Sequence, residues 1–427
     1  MPQNLPRRVA IIGGNRIPFA RAQGAYATAS NQAMLTAALE GLIERFGLHG
    51  LRLGEVAAGA VLKHARDFNL TRECVLGSRL SPQTPAYDVQ QACGTGLEAV
   101  LLVANKIALG QIDCGIAGGV DTASDAPLAI NDELRQMLLQ ANRAKSAGEK
   151  LKAFMQVRAH NLKPEAPRNS EPRTGLSMGQ HCELMAQEWG IDREAQDLWA
   201  WQSHQKLAES YAEGWHDDLL TPFHSLTRDN NLRTDSTLEK LAALRPAYEP
   251  SAKGTLTAGN STPLTDGASL VLLGSEQWAE ERGLPVLAYL RDGETAAVDF
   301  VHGNEGLLMA PVYAVPRLLA RNGLSLQQFD YYEIHEAFAA QVLCTLKAWE
   351  DPEYCRTRLG LEGSLGPIRE GQINVKGGSL AAGHPFAATG GRIVANLAKL
   401  LSVAGQGRGL ISICAAGGQG VTAILER

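Results

Sequence analysis

The sequence contains no run of about 18 uninterrupted apolar residues, which excludes a membrane-spanning helix. Its opening, MPQNLPRRVAIIGGNRIPFAR, has an arginine pair but no apolar stretch with a small-residue cleavage site. A secretory signal is therefore not expected, and RVAIIGG reads as a short strand followed by a turn. A surplus of charge of one sign is also missing. Forty Lys and Arg stand against 45 Asp and Glu, a formal net charge of −5, so no global field draws the chain to nucleic acid or an anionic membrane. Cysteine is sparse: seven residues, at 74, 93, 114, 182, 344, 355 and 414, odd in number, widely spaced and without a CxxC pair. That excludes a disulfide framework and a zinc knuckle, and reduced thiols in a cytoplasmic compartment are expected.

What is present is a large apolar fraction, 45% against 20% charged, over 427 residues. This predicts a globular chain of two or three domains. The 44 glycines cluster in particular turns, and two glycine-opened segments echo one another. Cys93-Gly94-Thr95-Gly96 leads into an apolar-periodic helix, then Gly110-Gln111 and IDCGIAGG. Ala388-Thr389-Gly390-Gly391 leads into a helix of similar length, then Gly405-Gln406 and GRGLISICAAGG. Matching turn, helix length and exit point to a duplicated half. Alternating helix and apolar strand predicts an α/β protein with a mainly parallel sheet covered on both faces.

Residues from about 131 to 248 differ in character. NDELRQMLLQANRAKSAGEKLKAFMQVRAHNLKPEAPRNSEPR is basic and amphipathic, then interrupted by proline. DREAQDLWAWQSHQKLAESYAEG predicts a helix capped by Asp192. This stretch reads as an insertion over a sheet edge or a site mouth. Its basic helix is a solvated face or, on the sharper reading, a surface for a membrane or a partner.

Three stretches carry chemistry: QQACGTG with Cys93, NVKGGSLAAGHPFAATGG with His384, and ICAAGGQG with Cys414. Cys93 sits at a strand-to-helix turn, where free N–H groups and the helix dipole favour a thiolate and can hold an oxyanion. His384 lies in a Gly-His-Pro turn whose glycines permit close approach. Cys414 closes an apolar strand ahead of further glycines. Taken singly, such a cysteine is more often core filler and such a histidine more often a hydrogen-bonded surface group. Two cysteines and a histidine, each at a glycine-lined terminus and divided between the half-repeats, suggest one shared site.

The set ACGTG, RIPFAR, GTLTAGNSTPLTDGA, HEAFAAQV, NVKGGSLAAGHPFAATG and CAAGGQG resembles the thiolase family, in order from about Val9 to the C-terminus. The HEAF and CAAGGQG versions are similar to those of bacterial fatty-acid β-oxidation thiolases and the mitochondrial trifunctional protein β subunit. The resemblance implies a five-layered α-β-α-β-α fold of two duplicated halves. Residues 1–130 with 249–285 would form the first half and 286–427 the second, with residues 131–248 an inserted loop domain that binds CoA. It implies Cys93 as the acylated nucleophile, His384 as its proton acceptor and Cys414 as the second acid–base thiol. His335 stands where many relatives have Asn, and Ala416 where CxGG has Gly. Backbone N–H groups of Cys93 and Ala416 would form an oxyanion hole. Arg233 and Tyr248 are expected at the nucleotide end of CoA, Met178 and Thr262 near pantetheine, and Phe338 along the acyl pocket. Leu307 would lie over the substrate in place of a common Met.

The implied activity is CoA-dependent thiolysis of 3-oxoacyl-CoA through an acyl-Cys93 intermediate. Alternatives are an acetyl-CoA acetyltransferase working in the condensing direction and a non-catalytic acyl-CoA-binding subunit. No metal or other cofactor is implied, CoA being a substrate. A homodimer or homotetramer is expected, and the subgroup implies a complex with a hydratase/3-hydroxyacyl-CoA dehydrogenase α subunit.

Overall fold

The computed structural model describes residues 6–369 and 371–427. Its strands are β1 (Val9–Arg16), β2 (Ala20–Arg21), β3 (Glu55–Ala58), β4 (Ala86–Asp88), β5 (Cys114–Asp121), β6 (Thr265–Ser275), β7 (Ala288–Ala297), β8 (Tyr331–Ile334), β9 (Arg408–Ala415) and β10 (Gln419–Glu426). They follow the order β4-β3-β5-β6-β1-β7-β10-β9-β8, with β2 paired to β6. The halves meet where β1 pairs with β7, from Val9 opposite Leu290 to Ile11 opposite Ala288.

Successive residues of a strand face opposite sides, and the strands here are apolar on both. Ile12, Ile116, Leu270 and Leu272 face outward onto Met34, Leu39 and Leu42 of the helix Asn31–Phe46. Ile11, Val271, Ile411 and Val421 face inward onto Leu97, Val100, Ile393 and Leu397. These belong to two central helices, Thr95–Ala108 and Thr389–Ala404. On the far side Tyr332, Ile334, Leu410 and Ile424 pack with Val312, Val315 and Val342 of the helices Ala310–Asn322 and Ala339–Glu350. Helix, one half of the sheet, helix pair, the other half of the sheet and helix give five layers, as the resemblance implied.

The sheet is mixed and not mainly parallel. Only β3/β4, β3/β5 and β8/β9 run parallel among the described residues. Helical crossovers make those parallel pairs, whereas β9 and β10 are joined by a tight turn through Gly417 and Gly418 that forces an antiparallel pair.

The 131–248 stretch forms helices Asp132–Arg143, Ala147–Phe154, Met178–Glu188, Arg193–Ala212 and Leu238–Ala242. Asp192 caps the fourth, its side chain accepting from Ala195 N at 2.7 Å. That helix lies over the short helix Ser379–Ala382 just ahead of His384: Ala200 packs with Leu380, and Leu207 with Ala381 and Ala382. A buried ion pair anchors the stretch to β1, Arg16 donating to both Asp229 oxygens at 2.5 and 2.8 Å. Among the described residues no helix is long and apolar enough to cross a membrane.

Candidate active site

The two central helices meet at their N-termini. A Cβ on Gly96 would lie 2.5 Å from Ala387 O, and one on Gly390 only 2.2 Å from Leu97 N. Glycine at both positions lets the halves approach closely enough for Cys93, just ahead of one helix, to reach His384, just ahead of the other. Cys93 follows Ala92, held at φ +47°, a left-handed conformation that costs a non-glycine residue energy. Thr95 secures this turn, its Oγ1 accepting from Gln91 N at 2.8 Å and donating to Ala92 O at 2.7 Å.

Cys93 Sγ lies 3.1 Å from His384 Nε2. On the other side of the ring, His384 Nδ1 sits 2.6 Å from Thr389 Oγ1, and His384 N donates to Thr265 Oγ1 at 2.8 Å. Cys414, at the end of β9, shares a cleft with Cys93, His384 and Ala416. The N–H groups of Ala416 and of Cys93 itself face the Cys93 sulfur. His335 is fully buried against His384, ring centroids 4.1 Å apart, with Nδ1 2.8 Å from Ser379 Oγ.

Burial dominates the electrostatics. It pushes the Cys93 thiol up to about 12, against the pull of the Ala416 and Cys93 N–H groups. It pushes His384 down to about 3, helped by the Arg392 guanidinium. Cys414 is raised well above an ordinary thiol and His335 held well below an ordinary imidazole, again chiefly by burial. The helix terminus was expected to favour a thiolate at Cys93. Desolvation outweighs it, and the resting pair is a neutral thiol beside a neutral imidazole.

Residues 9–277 match the thiolase N-terminal domain and residues 284–427 the thiolase C-terminal domain. The chain belongs to the thiolase family. It is 41% identical over 425 residues to the 3-ketoacyl-CoA thiolases of Yersinia pestis (strain Pestoides F) and Yersinia pseudotuberculosis (serotype O:1b), covering 98% of this chain and 97% of each relative. The crystal structure of the Bacillus anthracis acetyl-CoA acetyltransferase superposes with a TM-score of 0.82 at 27% identity, covering 99% of this chain and 100% of that one.

In this thiolase the cleft above Cys93 is also walled by Met178, Tyr248, Thr262 and Phe338. Phe338 meets Tyr248 edge-on at 5.9 Å, and Thr262 Oγ1 donates to Ala337 O at 3.0 Å. Tyr248 was expected at the nucleotide end. It lines the cleft against Gly179, where an added Cβ would be 2.1 Å from Tyr248 Cε1. Arg233 lies apart from these, in an adjoining pocket with Arg21 and Lys240 that meets the cleft at Pro263. Leu308, not Leu307, reaches the cleft.

The residues that hold the thiolase site were not visible in the sequence. Thr389, Thr265, Ser379 and Arg392 are hydroxyls and a cation with no pattern of their own. Glu336 carried a signal, a carboxylate inside the apolar HEAFAAQV. It is buried and accepts from Trp199 Nε1, Ser203 Oγ, Asn374 Nδ2 and Leu380 N, tying the long insertion helix to the loop before His384. Asp121 does the same for the other wall, accepting from Val61, Leu62 and Ala387 N. One nitrogen of each imidazole and the Cys93 sulfur lie within 4.8 Å of one another, the spacing of a metal donor set.

Proposed function

We propose that this chain catalyses CoA-dependent thiolysis of 3-oxoacyl-CoA, releasing acetyl-CoA and a shortened acyl-CoA, as a step of fatty-acid β-oxidation. The contact that carries the reading is Cys93 Sγ to His384 Nε2, 3.1 Å, in a cleft shared with Cys414. Cys93 Sγ attacks the keto carbon while its proton passes to His384 Nε2. The bond between the α and keto carbons breaks, and the electron pair leaves as the enolate of acetyl-CoA. His384 and His335 would stabilise the enolate's thioester oxygen, and the Cys414 thiol would protonate its carbon to complete acetyl-CoA, leaving Cys414 as a thiolate. That Cys414 thiolate deprotonates the CoA thiol, whose sulfur attacks the Cys93 thioester; the shortened acyl-CoA leaves and the Cys93 sulfur takes back the proton held on His384 Nε2. The Cys93 and Ala416 N–H groups face the sulfur where that second oxyanion forms.

Met178, Tyr248, Thr262 and Phe338 would line the pantetheine and acyl path, and Arg233 with Arg21 and Lys240 would meet the CoA phosphates. The apolar cleft walls Leu264, Leu308 and Phe338 favour acyl groups longer than acetyl, hence thiolysis over acetyl-CoA condensation. We take residues 131–248 as the inserted CoA-binding unit, with 1–130 plus 249–285 and 286–427 as the two halves. We place the enzyme in a reducing cytoplasm as a homodimer or homotetramer, able to join a hydratase/dehydrogenase α subunit.

Incubation with a 3-oxoacyl-CoA in the absence of free CoA tests the chemistry. Acetyl-CoA should appear in a burst equal to the enzyme present, and the acyl mass should sit on the Cys93 peptide. An acyl mass on another residue, or acetyl-CoA release without any adduct, would defeat the reading.

A further inference from the structure

The environment of His335 decides which of its nitrogens carries hydrogen. Three observations bear on it. His335 Nδ1 is 2.8 Å from Ser379 Oγ. Arg392 Nη2 donates to the same Ser379 oxygen at 3.0 Å. His335 Nε2, wholly buried, has no hydrogen-bond partner among the described residues. A guanidinium can only donate, so Ser379 Oγ already accepts once, and His335 Nδ1 is the acceptor placed for its own hydroxyl hydrogen. If Nδ1 instead carried hydrogen, both the Ser379 hydroxyl and the Nε2 lone pair would be left unpaired. With hydrogen on Nε2, only Nε2 is unpaired, and burying one such group costs less than burying two.

We propose that Ser379, oriented by Arg392, is a positioning residue that fixes His335 in the tautomer with hydrogen on Nε2, so that His335 offers an N–H donor to a substrate oxygen beside His384. The proposal rests on the thiolase reading above. It gives the imidazole at this position a direct donor role. Nδ1 being engaged by Ser379, Nε2 is the nitrogen free to turn toward the Cys93 and His384 cluster. The unpaired N–H is a vacant donor, held ready for charge that develops only during reaction.

Nitrogen NMR of 15N-histidine-labelled protein tests this without substrate, the His335 signals being assigned by their loss in His335→Asn. The wild type should show a neutral His335 with a protonated Nε2 and an unprotonated Nδ1. Ser379→Ala should move it to the other tautomer or to a mixture and lower kcat roughly 10- to 100-fold with little change in KM. Ser379→Thr should restore both. A wild-type His335 with an unprotonated Nε2 overturns the proposal even if Ser379→Ala does not fold, and so does an unchanged tautomer in a folded Ser379→Ala. Because the tautomer is read in the free enzyme, its failure is distinct from a failure of Cys93 acylation, which would sink the thiolase reading itself.

Discussion

Cys93 and His384 face each other as uncharged groups, the thiol raised to about 12 and the imidazole lowered to about 3 by their burial. The nucleophile is therefore generated by proton transfer during attack and is not stored as a thiolate. Cys93→Ser replaces it with a hydroxyl that is harder to deprotonate, so turnover, followed as loss of acetoacetyl-CoA enolate absorbance, should fall by on the order of 10³ or more. Unchanged turnover would remove Cys93 from the mechanism. Cys414→Ala divides the reaction differently. It should still acquire an acyl group on Cys93 yet pass it to CoA some 10²- to 10⁴-fold more slowly, the usual range for losing a general acid–base group. Rapid discharge in a single-turnover measurement would contradict the proton-shuttle role. These reactive groups were legible in the sequence because cysteine and histidine at glycine-lined termini are an unusual combination. Thr389, Thr265 and Ser379 were not, since a hydroxyl acquires its meaning only from the partner that folding brings to it. The raised pKa of the Cys93 thiol was likewise illegible, because burial depends on the whole fold.

At the scale of elements, identical letters served different ends. Ala-Gly-Gly was read as a strand exit in both halves. It is one at β9, where Gly417 and Gly418 adopt φ +77° and +69° and turn the chain. In β5 the strand runs on through Gly118 and Gly119 to Asp121, and those glycines instead allow close packing: a Cβ on Gly119 would be 2.4 Å from Ala387 O. The helix contact at Gly96 and Gly390 has the same cause, and it sets the separation of Cys93 from His384. Gly390→Ala should push the helices apart against backbone that cannot yield. A stability loss of about 1–3 kcal/mol is expected, measured by urea unfolding, with a disproportionate fall in kcat. Retention of full activity would show that the approach is not needed. The insertion depends on a second element-level contact, Arg16 with Asp229, which lies wholly inside the protein. Asp229→Ala leaves that guanidinium buried without its partner and should cost about 3–5 kcal/mol in the same measurement.

For the molecule as a whole, duplication and layering were legible because helix and strand periods repeat across 295 positions. Strand direction was not, since an apolar strand buried on both faces reads the same whether its neighbours run with it or against it. The same thorough burial makes stability depend on acidity. His204 is held down to about 4, His216 and His384 to about 3, and His335 well below 6.5, each chiefly by desolvation. Near pH 5.5 these four bind protons when unfolded and not when folded. Asp121 and Glu333 act in the opposite sense: burial raises both to about 7, so they hold protons when folded and release them when unfolded. Counting these six groups, four imidazoles against two carboxyls leave the unfolded state ahead by two protons between about pH 5 and 6. Stability must then rise with pH across that window, by up to about 3 kcal/mol per unit. The gain levels off at about pH 7, where the unfolded imidazoles have lost most of their protons and the buried carboxyls are losing theirs. Urea unfolding at pH 5.0, 5.5, 6.0 and 7.0 reads the slope directly. A flat or falling curve from pH 5 to 6 would mean that these histidines are solvated or paired with anions.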